Sequence, residues 1–137
     1  MDHQKLFEAA LAARDRAYAP YSGFFVGAAV LCESGKVYTG CNVENASFGA
    51  TVCAERAAVC AAVSAGERRI VAVAVAGGRG GESAGVCTPC GICRQTLAEF
   101  CEEGTPIVIL GEDGPCVRTL GELLALSFGR ADMEGKA

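Results

Sequence analysis

Three cysteines and one glutamate stand at a spacing that can bind a metal and move protons. Cys53 is followed two residues later by Glu55, and a Cys-x-x-Cys pair follows at Cys90 and Cys93. Structural zinc sites are usually closed by four Cys or His ligands, whereas catalytic zinc sites use three protein ligands and leave one position for water. Three thiolates therefore predict a catalytic Zn²⁺ site, and Glu55 is close enough in sequence to handle the protons of that water.

Taken alone, the Cys-x-x-Cys pair is also compatible with half of a zinc knuckle or with a redox pair, although no thioredoxin-like layout precedes it. Cys87 extends the pair to Cys-x-x-Cys-x-x-Cys, but a bacterial iron–sulfur run would continue to a cysteine at position 97, which is leucine. Spacing alone does not exclude a closed structural zinc site with a fourth ligand. The single histidine, His3, is far away in sequence, and we expect it to be solvated. We favour the three thiolates over Cys87 as ligands.

Length and composition predict one compact domain, residues 1–137, because two ordinary domains need a longer chain. Apolar residues make up 51% and charged residues 20%, which excludes a disordered chain. The net charge is −4 without a block of Lys or Arg, so we expect no nucleic-acid partner. We also expect no membrane partner, because no apolar run approaches the length that spans a bilayer.

The nine cysteines are expected to be reduced thiols rather than a disulfide scaffold. Their number is odd, and the amino-terminal residues have the character of a polar amphipathic segment rather than of a signal peptide. We therefore expect a cytoplasmic protein.

Helices and strands alternate along the chain after an initial antiparallel hairpin. The periodicity predicts helices over Gln4–Tyr18, Cys53–Ala65, Pro89–Glu102 and from a Thr119/Glu122 capping box through Leu126. It predicts strands over Phe24–Cys32, Lys36–Glu44, Ile70–Ala76, Thr105–Leu110 and near Val117, with a glycine-rich loop from Gly77 to Gly85. This order is typical of an α/β fold, a three-layer α/β/α sandwich with one mixed sheet.

Two predicted helices begin at the metal-binding cysteines. Free N–H groups at a helix start stabilise thiolates, which suits Cys53 and Cys90, and Cys93 lies on the same helix side as Cys90. Three thiolates leave a Zn²⁺ site with a net negative charge. An arginine hydrogen-bonded to sulfur would offset that charge, and Arg56 is better placed for this than Arg94.

The sequence resembles the small, homotetrameric cytidine deaminases of the three-cysteine zinc type, in which a non-ligand glutamate shuttles protons. The matching segments are 20–24 (PYSGF), 26–29 (VGAA), 40–48 (GCNVENASF), 53–56 (CAER) and 89–95 (PCGICRQ). The metal motif alone indicates the wider deaminase superfamily. The stretch Asn42-Val43-Glu44-Asn45 narrows the resemblance to enzymes of nucleosides, and Phe25 departs from the proline of many relatives.

The resemblance implies zinc-dependent hydrolysis of cytidine and deoxycytidine to uridine and deoxyuridine, with release of ammonia, in pyrimidine salvage. It implies that Glu55 carries the protons, that Asn42 and Glu44 hold the ribose, and that Phe24 packs on the pyrimidine. The backbone at Ala54 would read the base edge together with Glu55. Without the resemblance, Phe24 would be interpreted as a core residue and Asn42 as a turn or edge-strand residue.

The resemblance also implies a homotetramer in which Phe128 reaches a neighbouring subunit's pocket, whereas the plainer interpretation is that Phe128 caps its own core. Two other functions stay open. One is a deaminase of the same fold for another cytosine compound, such as a nucleoside antibiotic or a polynucleotide; the other is a non-enzymatic zinc-binding module. Asn42 and Glu44 would share one strand face and favour a free ribose, and the acidic charge disfavours a polynucleotide.

Overall fold

A computed structural model describes residues 1–80 and 85–135 of the chain. The strands are β1 (Phe24–Cys32), β2 (Val37–Cys41), β3 (Ile70–Arg79), β4 (Pro106–Gly111) and β5 (Gly114–Thr119). The helices are α1 (His3–Arg14), α2 (Ala54–Ser64), α3 (Gly91–Phe100), α4 (Leu120–Leu123) and α5 (Arg130–Met133). The strands form one sheet in the order β2-β1-β3-β4-β5, with β3 and β4 parallel and the other neighbours antiparallel. The predicted mixed sheet is confirmed.

Alternating side chains of the sheet pack into two separate hydrophobic cores. On β1, Ala28 and Val30 pack in a core with α2 and with Leu97 of α3, whereas Ala29 packs in a core with α1. Successive side chains of a strand point to opposite faces, so these two cores lie on opposite sides of the sheet. The three-layer α/β/α sandwich is therefore confirmed, with α2 and α3, the helices that carry the cysteines, on the same face.

Two glycines let the helices lie directly on the sheet. A Cβ atom on Gly40 of β2 would lie 2.5 Å from the backbone nitrogen of Ala58 and 2.6 Å from the carbonyl oxygen of Ala54. On the other face, a Cβ atom on Gly27 would lie 2.0 Å from the carbonyl oxygen of Ala10 in α1. The approach at Gly40 involves the first turn of α2, so it fixes the height of Cys53 and Glu55 above the sheet.

Helix α1 and strand β2 both end earlier than predicted. Helix α1 ends at Arg14 rather than Tyr18, because the Tyr18 N–H donates to the Asn42 carbonyl and the Tyr18 carbonyl accepts from the Glu44 N–H. Strand β2 ends at Cys41 rather than Glu44, because Val43 pairs instead with Val52 and Tyr18. These non-local pairings replace the helical and strand continuations that the local pattern indicated.

The predicted glycine-rich loop is wrong over its first residues. Strand β3 continues through Arg79, because Gly77 and Gly78 pair with Val26 and Phe25 of β1. Gly85 forms an isolated bridge to Gly77, and residues 81–84 of the predicted loop lie outside the described residues.

The remaining helix ends differ by a few residues from the prediction. The chain turns after α2 at Gly66, whose φ of +100° lies in the left-handed region that favours glycine. Helix α3 ends at Phe100 rather than Glu102. The Thr119/Glu122 capping box is confirmed, but α4 ends at Leu123, before Leu126. The short helix α5 was not predicted, and in the described part of the chain no helix is long and apolar enough to span a membrane.

Candidate metal centre and substrate clefts

The three predicted thiols converge where α2 and α3 begin. Cys53 is the N-cap residue of α2, Cys90 is the N-cap residue of α3, and Cys93 is buried in the first turn of α3. The Sγ atoms of Cys53 and Cys90 are 3.8 Å apart, and those of Cys90 and Cys93 are 3.5 Å apart. All three sulfur atoms lie within 4.8 Å of one another. Two helix starts on one sheet face thus present three thiols to one point.

The spacing of the three sulfur atoms fits zinc. Tetrahedral ligands with Zn–S bonds of about 2.3 Å lie about 3.8 Å from one another, and the observed Sγ distances are close to that value. Among residues 1–80 and 85–135, this is the one group of three or more Cys, His, Asp or Glu side chains arranged to hold a metal ion. The donor set of three thiols, without a fourth protein ligand of this type, favours a catalytic over a closed structural site.

Cys87 lies beside the centre but outside this group of thiols. A Cβ atom on Gly77 would lie 2.6 Å from the Cys87 Sγ and 3.2 Å from the Phe24 ring, so both side chains rest on the bare backbone of Gly77. This placement supports the prediction that Cys87 is not a ligand.

Glu55 is a buried carboxyl group beside the thiols. It lies in the first turn of α2 and is only 4% exposed. Burial raises its pKa, while its own backbone N–H, the Cys93 thiol and the charge of Arg56 act in the opposite direction. A carboxyl group with a raised pKa releases and accepts a proton closer to neutrality, as a general acid–base group must.

The two arginines take different roles. Nη2 of Arg56 donates to the carbonyl oxygen of Thr51 at 2.9 Å and lies 3.9 Å from the Cys53 Sγ, so its charge faces a thiol as predicted. Its buried Nε has no hydrogen-bond partner within the described part of the chain. Arg94 instead donates to the carbonyl oxygens of Pro89 and Leu123 at 2.7 and 2.6 Å. It holds the start of α3 to the end of α4 rather than facing sulfur.

A cleft of about 220 Å³ opens beside the thiols. Its lining residues are Phe24, Val26, Asn42, Thr51, Cys53, Ala54, Glu55, Cys87, Thr88 and Cys90. We name it the thiol cleft. The structure therefore brings Phe24, Asn42 and Ala54, which the sequence marks as substrate residues, to the same cleft as Glu55. The cleft also includes Thr51 and Thr88, which sequence reasoning missed because isolated threonines carry no motif.

Asn42 is buried and its amide is held by β1. Its Oδ1 accepts from the Val26 N–H at 2.8 Å, and its Nδ2 donates to the Phe24 carbonyl at 2.9 Å. The interpretation of Asn42 as a turn or edge-strand residue thus describes part of its role, because Asn42 follows the last residue of the edge strand β2. An amide has one further N–H and further acceptor capacity, so these two bonds still leave Asn42 able to contact a ligand.

Glu44 lines a second, adjoining cleft of about 370 Å³, together with Tyr21, Ser22, Asn45, Phe48 and Thr51. We name it the outer cleft. Thr51 lines both clefts, so they meet there. Because β2 ends at Cys41, Asn42 and Glu44 do not share a strand face as predicted. The prediction of the strand was wrong, and the two side chains line neighbouring clefts instead.

Phe128 lies in the segment between α4 and α5 and is 61% exposed. Its carbonyl oxygen accepts from Nε2 of Gln95, which ties this segment to α3 at 2.9 Å. The exposed ring does not cap the core of its own chain, and Phe128 is not among the described residues that line the two clefts.

The fold and the thiol centre define a zinc-binding deaminase, and comparisons with known proteins agree. Residues 1–109 match the family described as the cytidine and deoxycytidylate deaminase zinc-binding region. The chain is 42% identical to a cytidine deaminase of Sporosarcina psychrophila over 97% of this chain and 96% of that protein. It is 49% identical to a cytidine deaminase of Mycobacterium tuberculosis over 85% of this chain and 82% of that protein.

The structure is also similar to the crystal structure of a cytidine deaminase from Burkholderia pseudomallei. The TM-score is 0.83 at 46% identity, over 93% of this chain and 100% of the other. The chain belongs to the cytidine and deoxycytidylate deaminase family and is an enzyme of the zinc-dependent deaminase class. The resemblance inferred from the sequence is confirmed.

Proposed function

We propose that this protein is a cytidine deaminase that hydrolyses the 4-amino group of cytidine and deoxycytidine, which yields uridine or deoxyuridine and ammonia. One observation carries the proposal. The buried carboxyl group of Glu55 shares a cleft with the metal-binding thiols and with Phe24, so an acid–base group, a metal centre and an aromatic face meet in one space. Two relatives that bear the name cytidine deaminase each match 97% of this chain.

Cys53, Cys90 and Cys93 would hold the zinc ion, and Arg56 would offset part of the negative charge of their thiolates. When bound, zinc supplies Lewis-acid chemistry and lowers the pKa of a coordinated water molecule toward neutrality. Glu55 would accept a proton from the attacking water molecule and pass it to N3 of the cytosine ring, which makes C4 more electrophilic. After the resulting hydroxide has added at C4, Glu55 would take the proton of the new hydroxyl group and deliver it to the 4-amino group. The C4–N bond then breaks, a C4 carbonyl forms and ammonia leaves, so one carboxyl group serves as base and then as acid.

The remaining substrate contacts divide between the two clefts. In the thiol cleft, the ring of Phe24 packs on the pyrimidine and the backbone at Ala54 reads the base edge. Glu44 accepts hydrogen bonds from the ribose hydroxyls, and the amide of Asn42 donates or accepts, from either side of the junction at Thr51. A nucleoside offers a base to the thiol cleft and a sugar to the outer cleft, whereas a free base offers nothing to the outer cleft.

The assembly that fits this site is a homotetramer in which Phe128 completes a neighbouring subunit's site. Its support is an exposed apolar segment near the carboxyl end, in which Leu126 is 103% and Phe128 is 61% exposed. Co-refolding inactive Glu55→Gln with Phe128→Ala tests this. Mixed tetramers regain activity only if an intact Glu55 is served by a neighbour's Phe128, and a fully active Phe128→Ala or a monomeric active chain contradicts it. A cytoplasmic role in pyrimidine salvage completes the proposal.

The function is tested with the zinc-loaded protein by following the ultraviolet absorbance of cytidine, deoxycytidine and a panel of other cytosine nucleosides. Turnover of cytidine and deoxycytidine is expected, and the Glu55→Gln variant is the matched inactive control. Turnover of another cytosine nucleoside alone identifies a same-fold deaminase of different specificity. Folded, zinc-containing protein that is inactive on the whole panel identifies a zinc-binding module.

A further inference from the structure

The hydroxyl group of Ser22 links the residues of the two clefts. It donates a short hydrogen bond to Oε2 of Glu44 and accepts one from the Phe24 N–H at 3.0 Å. Glu44 is the carboxylate of the outer cleft, and Phe24 is the aromatic residue of the thiol cleft. One side chain is thus bonded to both groups that the proposed function assigns to the two halves of a nucleoside.

The carboxylate of Glu44 is held by three donors from one turn. Besides the Ser22 hydroxyl on Oε2, the backbone N–H groups of Tyr21 and Ser22 donate to Oε1 at 2.9 and 3.1 Å. A carboxylate offers about four acceptor positions, so one position remains, on the oxygen that Ser22 contacts. These donors favour the charged form and lower the pKa of Glu44, so the group is a fixed acceptor rather than a proton carrier.

The turn that carries these donors is itself anchored. Gly23 has a φ of +68°, a left-handed conformation that glycine adopts readily, and its N–H donates to the Ala19 carbonyl at 3.0 Å. Nη1 of Arg79, at the end of β3, donates to the Ser22 carbonyl at 3.2 Å. Because the backbone of this turn is fixed, the hydrogen bond from the Ser22 hydroxyl also fixes the position of the Glu44 carboxylate.

We propose that Ser22 is a positioning residue for substrate binding: it holds the Glu44 carboxylate and the Phe24 backbone in the relative placement that accepts the sugar hydroxyl and the pyrimidine of one nucleoside. The proposal rests on the proposed function. It adds a residue whose side chain acts through Glu44 rather than on the reacting atoms.

The chain offers a matched control for this proposal. The hydroxyl of Ser34 donates to Oε2 of Glu67 at 2.6 Å and accepts from the Lys36 N–H at 3.3 Å. This is the same pattern, a serine between a glutamate and the N–H two residues later, but it lies at the β1–β2 turn and lines neither cleft. Ser34→Ala therefore reports what the loss of such a bond does to the fold alone.

The test compares Ser22→Ala, Ser22→Thr and Ser34→Ala on cytidine and on 2′,3′-dideoxycytidine, which lacks both ribose hydroxyls of the sugar edge. Ser22→Ala should raise KM for cytidine about fivefold, the effect of one hydrogen bond on a partly exposed charged group, with kcat nearly unchanged. KM for dideoxycytidine should change less, because that substrate has no hydroxyl for Glu44 and keeps only the contact of its pyrimidine with Phe24. Ser22→Thr keeps the hydroxyl and should restore the KM for cytidine, and Ser34→Ala should leave both substrates unchanged.

Each other outcome overturns the proposal. An unchanged KM for cytidine in Ser22→Ala removes Ser22 from substrate binding, and equal losses on both substrates assign it a structural role only. Wild-type, zinc-loaded protein that is inactive on cytidine overturns the proposed function, and the role of Ser22 with it, which distinguishes the two failures. If Ser22→Ala folds poorly, Ser22→Cys replaces it, because a thiol keeps the shape but donates only weakly.

Discussion

The carboxyl groups of Glu55 and Glu44 line adjoining clefts, but their surroundings shift their pKa values in opposite directions. Glu55 is 4% exposed, and burial raises its pKa. Glu44 is partly exposed in the segment after β2, and hydrogen bonds from Ser22 and Tyr21 lower its pKa. Burial thus suits one carboxyl group to carry protons, and hydrogen-bond donors suit the other to act as a permanent acceptor. In the proposed function, environment rather than residue type separates the group of the chemical step from the group that binds substrate.

Removing a metal ligand should have the largest effect on activity. It should abolish the chemistry at Glu55 in the thiol cleft and leave Glu44 and the outer cleft intact. Cys53→Ala, Cys90→Ala and Cys93→Ala should each lose zinc and nearly all activity, and their melting temperature should fall because the metal joins two helix starts. Cys87→Ala is the matched control and should keep one zinc ion per chain. Metal analysis of the purified variants decides this, and a Cys87→Ala protein without zinc would mean that the ligand set includes Cys87.

Glu55→Gln should keep zinc and the fold but lose turnover by about 10³- to 10⁴-fold, because an amide cannot accept and return a proton. Substrate affinity should be little affected. The measurement is kcat at saturating cytidine, with zinc content and melting temperature as controls. Activity near that of the wild type would remove Glu55 from the mechanism and end the contrast between the two carboxyl groups.

Glu44→Gln should have the complementary effect, a KM for cytidine raised about tenfold with a smaller change in kcat, since the contact is made in both the ground state and the transition state. Free cytosine should be a poor substrate of the wild-type protein, because it has no sugar for the outer cleft. Steady-state kinetics on both compounds test this. Equal kcat/KM values for cytosine and cytidine would contradict a role for the outer cleft in binding ribose.

The smallest effect is in the pH dependence of KM. Because the pKa of Glu44 is lowered, its charge persists below the usual range of a glutamate, and KM for cytidine should rise only when the pH falls through that lowered pKa. Ser22→Ala removes a donor and should move this rise to higher pH. KM measured from neutral pH downward for both proteins tests the shift, and coincident profiles would show that Ser22 does not tune Glu44.

Local signals in the sequence predicted well the helices that carry the three thiols and Glu55. Helix starts at Cys53 and Cys90, the turn at Gly66 and the Thr119/Glu122 capping box depend on neighbours a few residues away, and all are present. The fold class followed from the alternation of these elements. The donor set of the metal centre could also be predicted from the sequence, because only a few residue types can act as zinc ligands.

The outer cleft could not be predicted because distant parts of the chain build it. The early end of β2 depends on Tyr18 and Val52, and the length of β3 depends on its pairing with β1. The role of Ser22 depends on the approach of Glu44, which is 22 residues away in sequence. No local propensity encodes such contacts, so the resemblance to a family indicated a role for Glu44 but none for Ser22.

Because Gly77 has no side chain, the side chain of Cys87 occupies the space that a side chain at position 77 would need. A methyl group at position 77 would overlap the Cys87 side chain, with distances of 2.6 Å to Sγ and 2.8 Å to Cβ. Gly77→Ala alone would therefore push Cys87 toward the thiol cleft, whereas Gly77→Ala combined with Cys87→Gly moves the same bulk from one wall to the other. Substitutions at these two positions should be strongly non-additive, and any redesign of the cleft has to change them together.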